Sequence, residues 1–136
     1  MNKYLCLDDY RKVEDCLLTH DGIYKPNEKQ FLLEATNTNK WDWDLVKSFD
    51  EFKKYIDENG IPLIISFDND LCEKHYIGDF STEKSGLDCL LYLIDKCKEL
   101  NRKLPVCYVH SFNPIRRKMM KDIIREQSIF KKNDDC

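Results

Sequence analysis

Two aspartates one residue apart, Asp68 and Asp70, follow directly on the apolar run Leu63-Ile64-Ile65-Ser66-Phe67. A second acidic pair, Asp8-Asp9, follows Tyr4-Leu5-Cys6-Leu7, and Arg11 stands two residues further on. A histidine, His110, ends the run Leu104-Pro105-Val106-Cys107-Tyr108-Val109 and is followed by Ser111 and Asn113. Three or four carboxylates in one place cannot all stay charged unless a cation neutralises them or protons are shared. An all-oxygen ligand set suits Mg²⁺ or Mn²⁺ better than zinc. Mg²⁺ keeps several waters and recruits phosphate oxygens, so a phosphorylated ligand is the natural partner. In that setting His110 transfers a proton to or from a water or a leaving oxygen. Arg11, with its bidentate fork, and Asn113 bind phosphate oxygens. No P-loop, GxGxxG, G-x-S-x-G or HExxH pattern occurs.

These residues meet only if the elements before them are strands of one sheet. The β-branched run at 63–67, directly after Gly60-Ile61-Pro62, reads as a strand buried on both faces, which means a parallel sheet covered by helices. The pattern predicts strands near 3–8, 43–47, 62–68 and 104–110. Ser48 or Asp50 caps a helix on Phe49, Phe52, Tyr55 and Ile56 that stops at Asn59-Gly60. A second helix runs from Ser85 to about Leu100, with Leu87, Leu90, Leu91, Ile94 and Cys97 as its core face; Asp88 in its first turn either caps it or reaches the site, capping being the first choice. A closing helix starts at Pro114 and runs to about Gln127 on Ile115, Met119, Ile123 and Ile124. Right-handed crossovers then give the strand order 2-1-3-4. In open α/β sheets ligands sit beyond the carboxyl ends of the strands, so the candidate groups share one rim.

The remaining stretches carry weaker signals. Residues 12–42 form an irregular insertion marked by the turns Asp21-Gly22 and Lys25-Pro26-Asn27. His20 within it reads as a surface residue, and Trp41 and Trp43 read as packing residues. A polar loop at 71–84 with Glu73, His75, Tyr76, Gly78 and Asp79 is either a binding loop or a disordered one. The tail at 129–136 reads as frayed. At 136 residues the chain is one domain with a real core. A net charge of −3 argues against nucleic-acid binding by bulk charge, though not against a local basic patch for an RNA end. No apolar run approaches the ~20 residues of a membrane span. Seven cysteines without a C-x-x-C pair point to reduced thiols and a cytoplasmic setting.

Leu-Asp-Asp-Tyr-Arg at 7–11, Gly-Ile-Pro at 60–62, Ile-Ser-Phe-Asp-Asn-Asp-Leu at 65–71, Glu-Lys-His-Tyr at 73–76, Glu-Lys-Ser-Gly-Leu-Asp-Cys at 83–89 and Val-His-Ser-Phe-Asn-Pro at 109–114 form an ordered set. As a set they resemble the cyclic-phosphate processing receiver-like domains of phages and bacteria. The resemblance implies an α/β, receiver-like (flavodoxin-like) three-layer sandwich. It further implies a metal-dependent phosphoesterase acting on a cyclic phosphate, such as a cyclic nucleotide or a 2′,3′-cyclic RNA end in RNA repair. Its site positions would be Asp8, Asp9, Arg11, Asp68, Asp70, His75, His110, Ser111 and Asn113. Of these Asp8, Asp9 and Asp68 would hold the cation, while Asp68, Asp70, His75 and His110 would be catalytic. Arg11, Ser111, Asn113 and Asn69 would contact phosphate. The chain departs from the family in having Asn69 where histidine is usual and Arg116 where glycine is common. Two other readings stay open: a pocket that binds such a ligand without changing it, and a phosphoaspartate receiver. The second needs a lysine on a fifth strand, and the pattern contains no such strand.

Overall fold

A computed structural model describes residues 4–9, 43–76, 78–79, 81, 83–110 and 113–134. The expectations for Arg11, His20, Trp41, Ser111 and the 12–42 stretch lie outside the described residues. Four short strands, β1 (Tyr4–Leu7), β2 (Trp43–Val46), β3 (Ile64–Phe67) and β4 (Val106–Val109), make an all-parallel sheet. Their order is β2-β1-β3-β4, the order that right-handed crossovers require. With the helices α1 (Phe49–Asn59), α2 (Glu73–Tyr76), α3 (Gly86–Glu99) and α4 (Pro114–Asp134), this is a receiver-like α/β fold. The strands are shorter than the apolar runs that announce them. Pro62, for example, has no N–H to give to a ladder and stays outside β3.

Alternation along the strands sends successive side chains to opposite faces. Leu5, Leu7, Val46, Ile65, Phe67 and Val109 join Phe52 and Ile56 of α1 and a row on α3 in the main core. Each buried side chain of this size contributes about 1.5–3 kcal/mol. The opposite parity carries a second cluster, Cys6, Trp43 and Tyr108, with Tyr4, Leu45 and Ile64 against it. Of the two candidate caps for α1, Ser48 is the one used, its hydroxyl accepting from Glu51 N–H at 3.1 Å. Gly60 ends that helix at φ +86°, a conformation that favours glycine, while its N–H reaches Ile56 O at 2.9 Å.

Three expectations need correction. On α3 the buried stripe is Cys89, Leu90, Leu93, Ile94 and Cys97, while Leu91 is 44% exposed. The helix packs against both the sheet cluster and α1, so its buried stripe is broader and turned from the one counted along the chain. On α4, Ile115 is 73% exposed and Met119 is also exposed, whereas Met120 is fully buried and Ile123 and Ile124 pack on the core. The face that meets β4 and α3 decides this, and an unbranched methionine fits it well. The closing helix also runs on to Asp134 rather than ending near Gln127.

Cys6, Cys72, Cys89 and Cys107 carry free thiols, and burial pushes the Cys89 thiol well up from its ordinary range. Among the described residues no helix is long and apolar enough to cross a membrane.

Candidate active site

The strand register builds the site. Leu7 of β1 pairs with Phe67 of β3, and Phe67 pairs with Val109 of β4. The next residue on each strand is therefore Asp8, Asp68 and His110, three side chains of one parity at one level. Each continues its ladder by one rung: Asp8 N–H to Val46 O at 3.0 Å, Asp68 N–H to Leu7 O at 3.0 Å and His110 N–H to Phe67 O at 2.9 Å. Adjacent strands lie about 4.8 Å apart, so a row of this kind must bring the three groups together. Their ligand atoms all lie within 4.8 Å of one another.

All three are buried, with Asp8 1% exposed, Asp68 3% and His110 0%. His110 Nε2 lies 2.9 Å from Asp8 Oδ2, and His110 Nδ1 lies 2.7 Å from Ser66 Oγ. An ionised carboxylate can only accept, so Nε2 carries the ring proton and donates it to Asp8. In the neutral ring Nδ1 then accepts from the Ser66 hydroxyl. Asp68 Oδ1 accepts from Asn69 N–H at 2.8 Å.

Two buried carboxylates at adjacent positions of a parallel row are a hard, oxygen-only donor set while His110 keeps its proton. Ligands on one Mg²⁺ lie about 3–4.2 Å apart at metal–oxygen distances near 2.1 Å, so only a small inward closure separates these groups from coordination. The residues present fit such a cation. Asp9, next along the chain, is half-buried and is not part of the converging group.

Over residues 3–126 the chain matches the family described as cyclic-phosphate processing receiver domain. The chain belongs to that family. No curated protein and no solved structure matches it.

In this cyclic-phosphate processing receiver domain several expected site residues also make bonds to the frame. Asn69 Oδ1 accepts from Leu87 N–H at 3.1 Å, its carbonyl accepts from Gly86 N–H at 2.8 Å, and its Nδ2 donates to Asp70 Oδ1 at 3.2 Å. Asn69 thus caps α3 and steadies Asp70, with a hydrogen bond at each end of its amide. Asn113 likewise caps α4, its Oδ1 accepting from Arg116 N–H at 3.1 Å. Asp88 caps α3 as expected, accepting from Ser85 N–H at 2.8 Å.

His75 is also a frame residue in its geometry. Its Nδ1 accepts from Leu71 N–H at 2.8 Å, which leaves the ring proton on Nε2 for Glu83 O at 2.9 Å. One buried ring therefore ties the two ends of the loop together. Replacing His75 with alanine should leave a buried N–H and a carbonyl unsatisfied and lower stability by about 2–3 kcal/mol. Urea unfolding measures the loss, and limited proteolysis should show new cleavage between Leu71 and Lys84. A loss below about 0.5 kcal/mol, within the range of plain surface changes, would return His75 to the catalytic set.

One site residue escapes the sequence reading. Ser66 looks like a break in an apolar strand, yet it shares parity with Asp68 and is 1% exposed. A polar residue two places before a candidate aspartate, inside a strand buried on both faces, is the signal that finds it.

Proposed function

We propose that this domain opens a cyclic phosphate by hydrolysis, with Mg²⁺ or Mn²⁺ held by Asp8 and Asp68. The observation that supports this reading is the register-matched convergence of Asp8, Asp68 and His110 at the carboxyl rim of the sheet, in a chain of this family. When bound, the cation supplies charge that keeps both carboxylates ionised and polarises the phosphate oxygens. In the reaction a water oxygen bonds to phosphorus and one ring P–O bond breaks. The bonding pair leaves with the ring oxygen, which takes up a proton, and the product is the linear phosphate ester. His110 gives up that proton at Nε2, the ring atom that faces the carboxylates, and the proton collected by Asp70 returns to it, so that the ring is neutral before and after the reaction. Asp70, steadied by Asn69, receives the proton that water loses. Arg11 and Ser111 remain assigned to the phosphate oxygens, and the substrate is a cyclic nucleotide or a cyclic-phosphate RNA end.

The test is incubation with Mn²⁺ or Mg²⁺ and a panel made of a 2′,3′-cyclic-phosphate oligonucleotide, cyclic dinucleotides and 3′,5′-cyclic mononucleotides. Mass analysis should show the gain of one water on one class of compound. If every compound is recovered unaltered while one raises the melting temperature, the domain is a binding module and the hydrolytic reading is wrong.

A further inference from the structure

We propose that Ser66 is a positioning residue for this site, acting through His110 by holding the ring at Nδ1 in the orientation that aims its Nε2 proton at the carboxylates. The inference rests on the reading of His110 as the proton holder, and it adds a residue that the family resemblance does not mark.

The argument begins with placement. Ser66, Tyr108 and His110 share one face, Ser66 being paired in register with Tyr108 and His110 lying two residues beyond it. The imidazole of His110 therefore reaches back over β3, where the Ser66 hydroxyl meets Nδ1 at 2.7 Å. Both partners are buried, at 1% and 0% exposure, so bulk water does not compete for that nitrogen. On the other side Nε2 faces Asp8 Oδ2 at 2.9 Å.

A neutral imidazole has one N–H and one lone pair, and the hydrogen bond at one nitrogen sets what the other presents. Asp8 keeps the proton on Nε2, and the Ser66 hydroxyl, donating to Nδ1, holds the ring with that proton aimed at the carboxylates where the leaving oxygen would need it. With alanine at 66, Nδ1 loses this donor and the ring is held through Nε2 alone. The chain Ser66–His110–Asp8 has the order of a serine–histidine–carboxylate triad, but the hydroxyl is buried inside β3. It orients the ring and does not attack substrate.

The experiment compares wild type, Ser66→Ala and Ser66→Thr. Long-range ¹⁵N–¹H correlation spectra of the histidine rings report the tautomer directly, with His110 assigned by its loss in His110→Asn. Wild type should show one protonated Nε2 and one unprotonated Nδ1. Ser66→Ala should keep the proton on Nε2 but move the Nδ1 resonance to that of a nitrogen without a hydrogen bond, and Ser66→Thr, which restores the hydroxyl, should recover the wild-type pattern. Identical His110 spectra in wild type and Ser66→Ala would overturn the proposal, as would failure of threonine to restore the pattern in a variant whose amide spectrum remains folded. Mn²⁺ titration of the same three proteins, followed by electron paramagnetic resonance, is the second arm. It should show affinity about 10-fold weaker in Ser66→Ala. If Mn²⁺ fails to bind even the wild type, the metal reading of the site falls, and the ring spectra still decide the role of Ser66.

Discussion

Gly86→Ala is expected to cost the domain a large part of its stability. Gly86 is the first residue of α3 and lies directly on the end of β3. A Cβ there would sit 1.7 Å from Asp68 O, 2.7 Å from the Asp68 carbonyl carbon and 2.8 Å from Asn69 Cα. All three are backbone atoms, so no side-chain rotation relieves the overlap. Either α3 retreats, breaking the Gly86 N–H bond to Asn69 O, or the turn that carries Asp68 and Asp70 shifts. We expect a loss of about 3 kcal/mol or more, which for a domain of this size is a fall of about 10 °C in Tm. Gly78→Ala is the comparison: its φ is +85° with nothing within 4 Å, so the cost is conformational and about 1–2 kcal/mol. A Gly86→Ala protein that melts within a few degrees of wild type would rule out the close approach of α3 to the site.

Asp68→Asn should separate activity from stability. The asparagine carbonyl can still accept from Asn69 N–H, the bond that Asp68 Oδ1 makes at 2.8 Å. What disappears is one of the two acidic groups buried in the row beside His110. Without a cation, crowding two carboxylates there costs either repulsion or a shared proton, so Tm should equal or exceed that of wild type. Such gains are common where a site is arranged for function at the expense of stability. Divalent-cation affinity and any metal-dependent turnover should fall at least about 100-fold, near the upper end of what loss of one supporting interaction at a metal site costs. Isothermal titration with Mn²⁺ and a thermal melt on the same sample measure both. Unchanged turnover would sink the assignment of Asp68, and a large drop in Tm would make its carboxylate structural.

The strand count, their parallel order and the level of Asp8, Asp68 and His110 were legible in the chain. Each follows from local facts: apolar runs of strand length, carboxylates or an imidazole at their ends, and the fixed hand of the crossovers. Matching the family over residues 3–126 agrees with that reading. Which polar residues face the cluster was not legible, because the same residue type serves chemistry or framework according to its neighbours in space. Asn69, Asn113 and His75 look like ligand-binding groups along the chain, yet Asn69 and Asn113 each accept from the backbone at the start of a helix and His75 bonds the backbone at both ends of the loop at 71–83. Ser66 looks like strand filler, yet register sets its hydroxyl beneath His110. Gly86 shows no mark of its importance until α3 is laid on β3. Periodicity sets the face on which a side chain emerges. Only the packing of one element on another determines which atoms it meets there, and a hydrogen bond or a clash depends on those atoms.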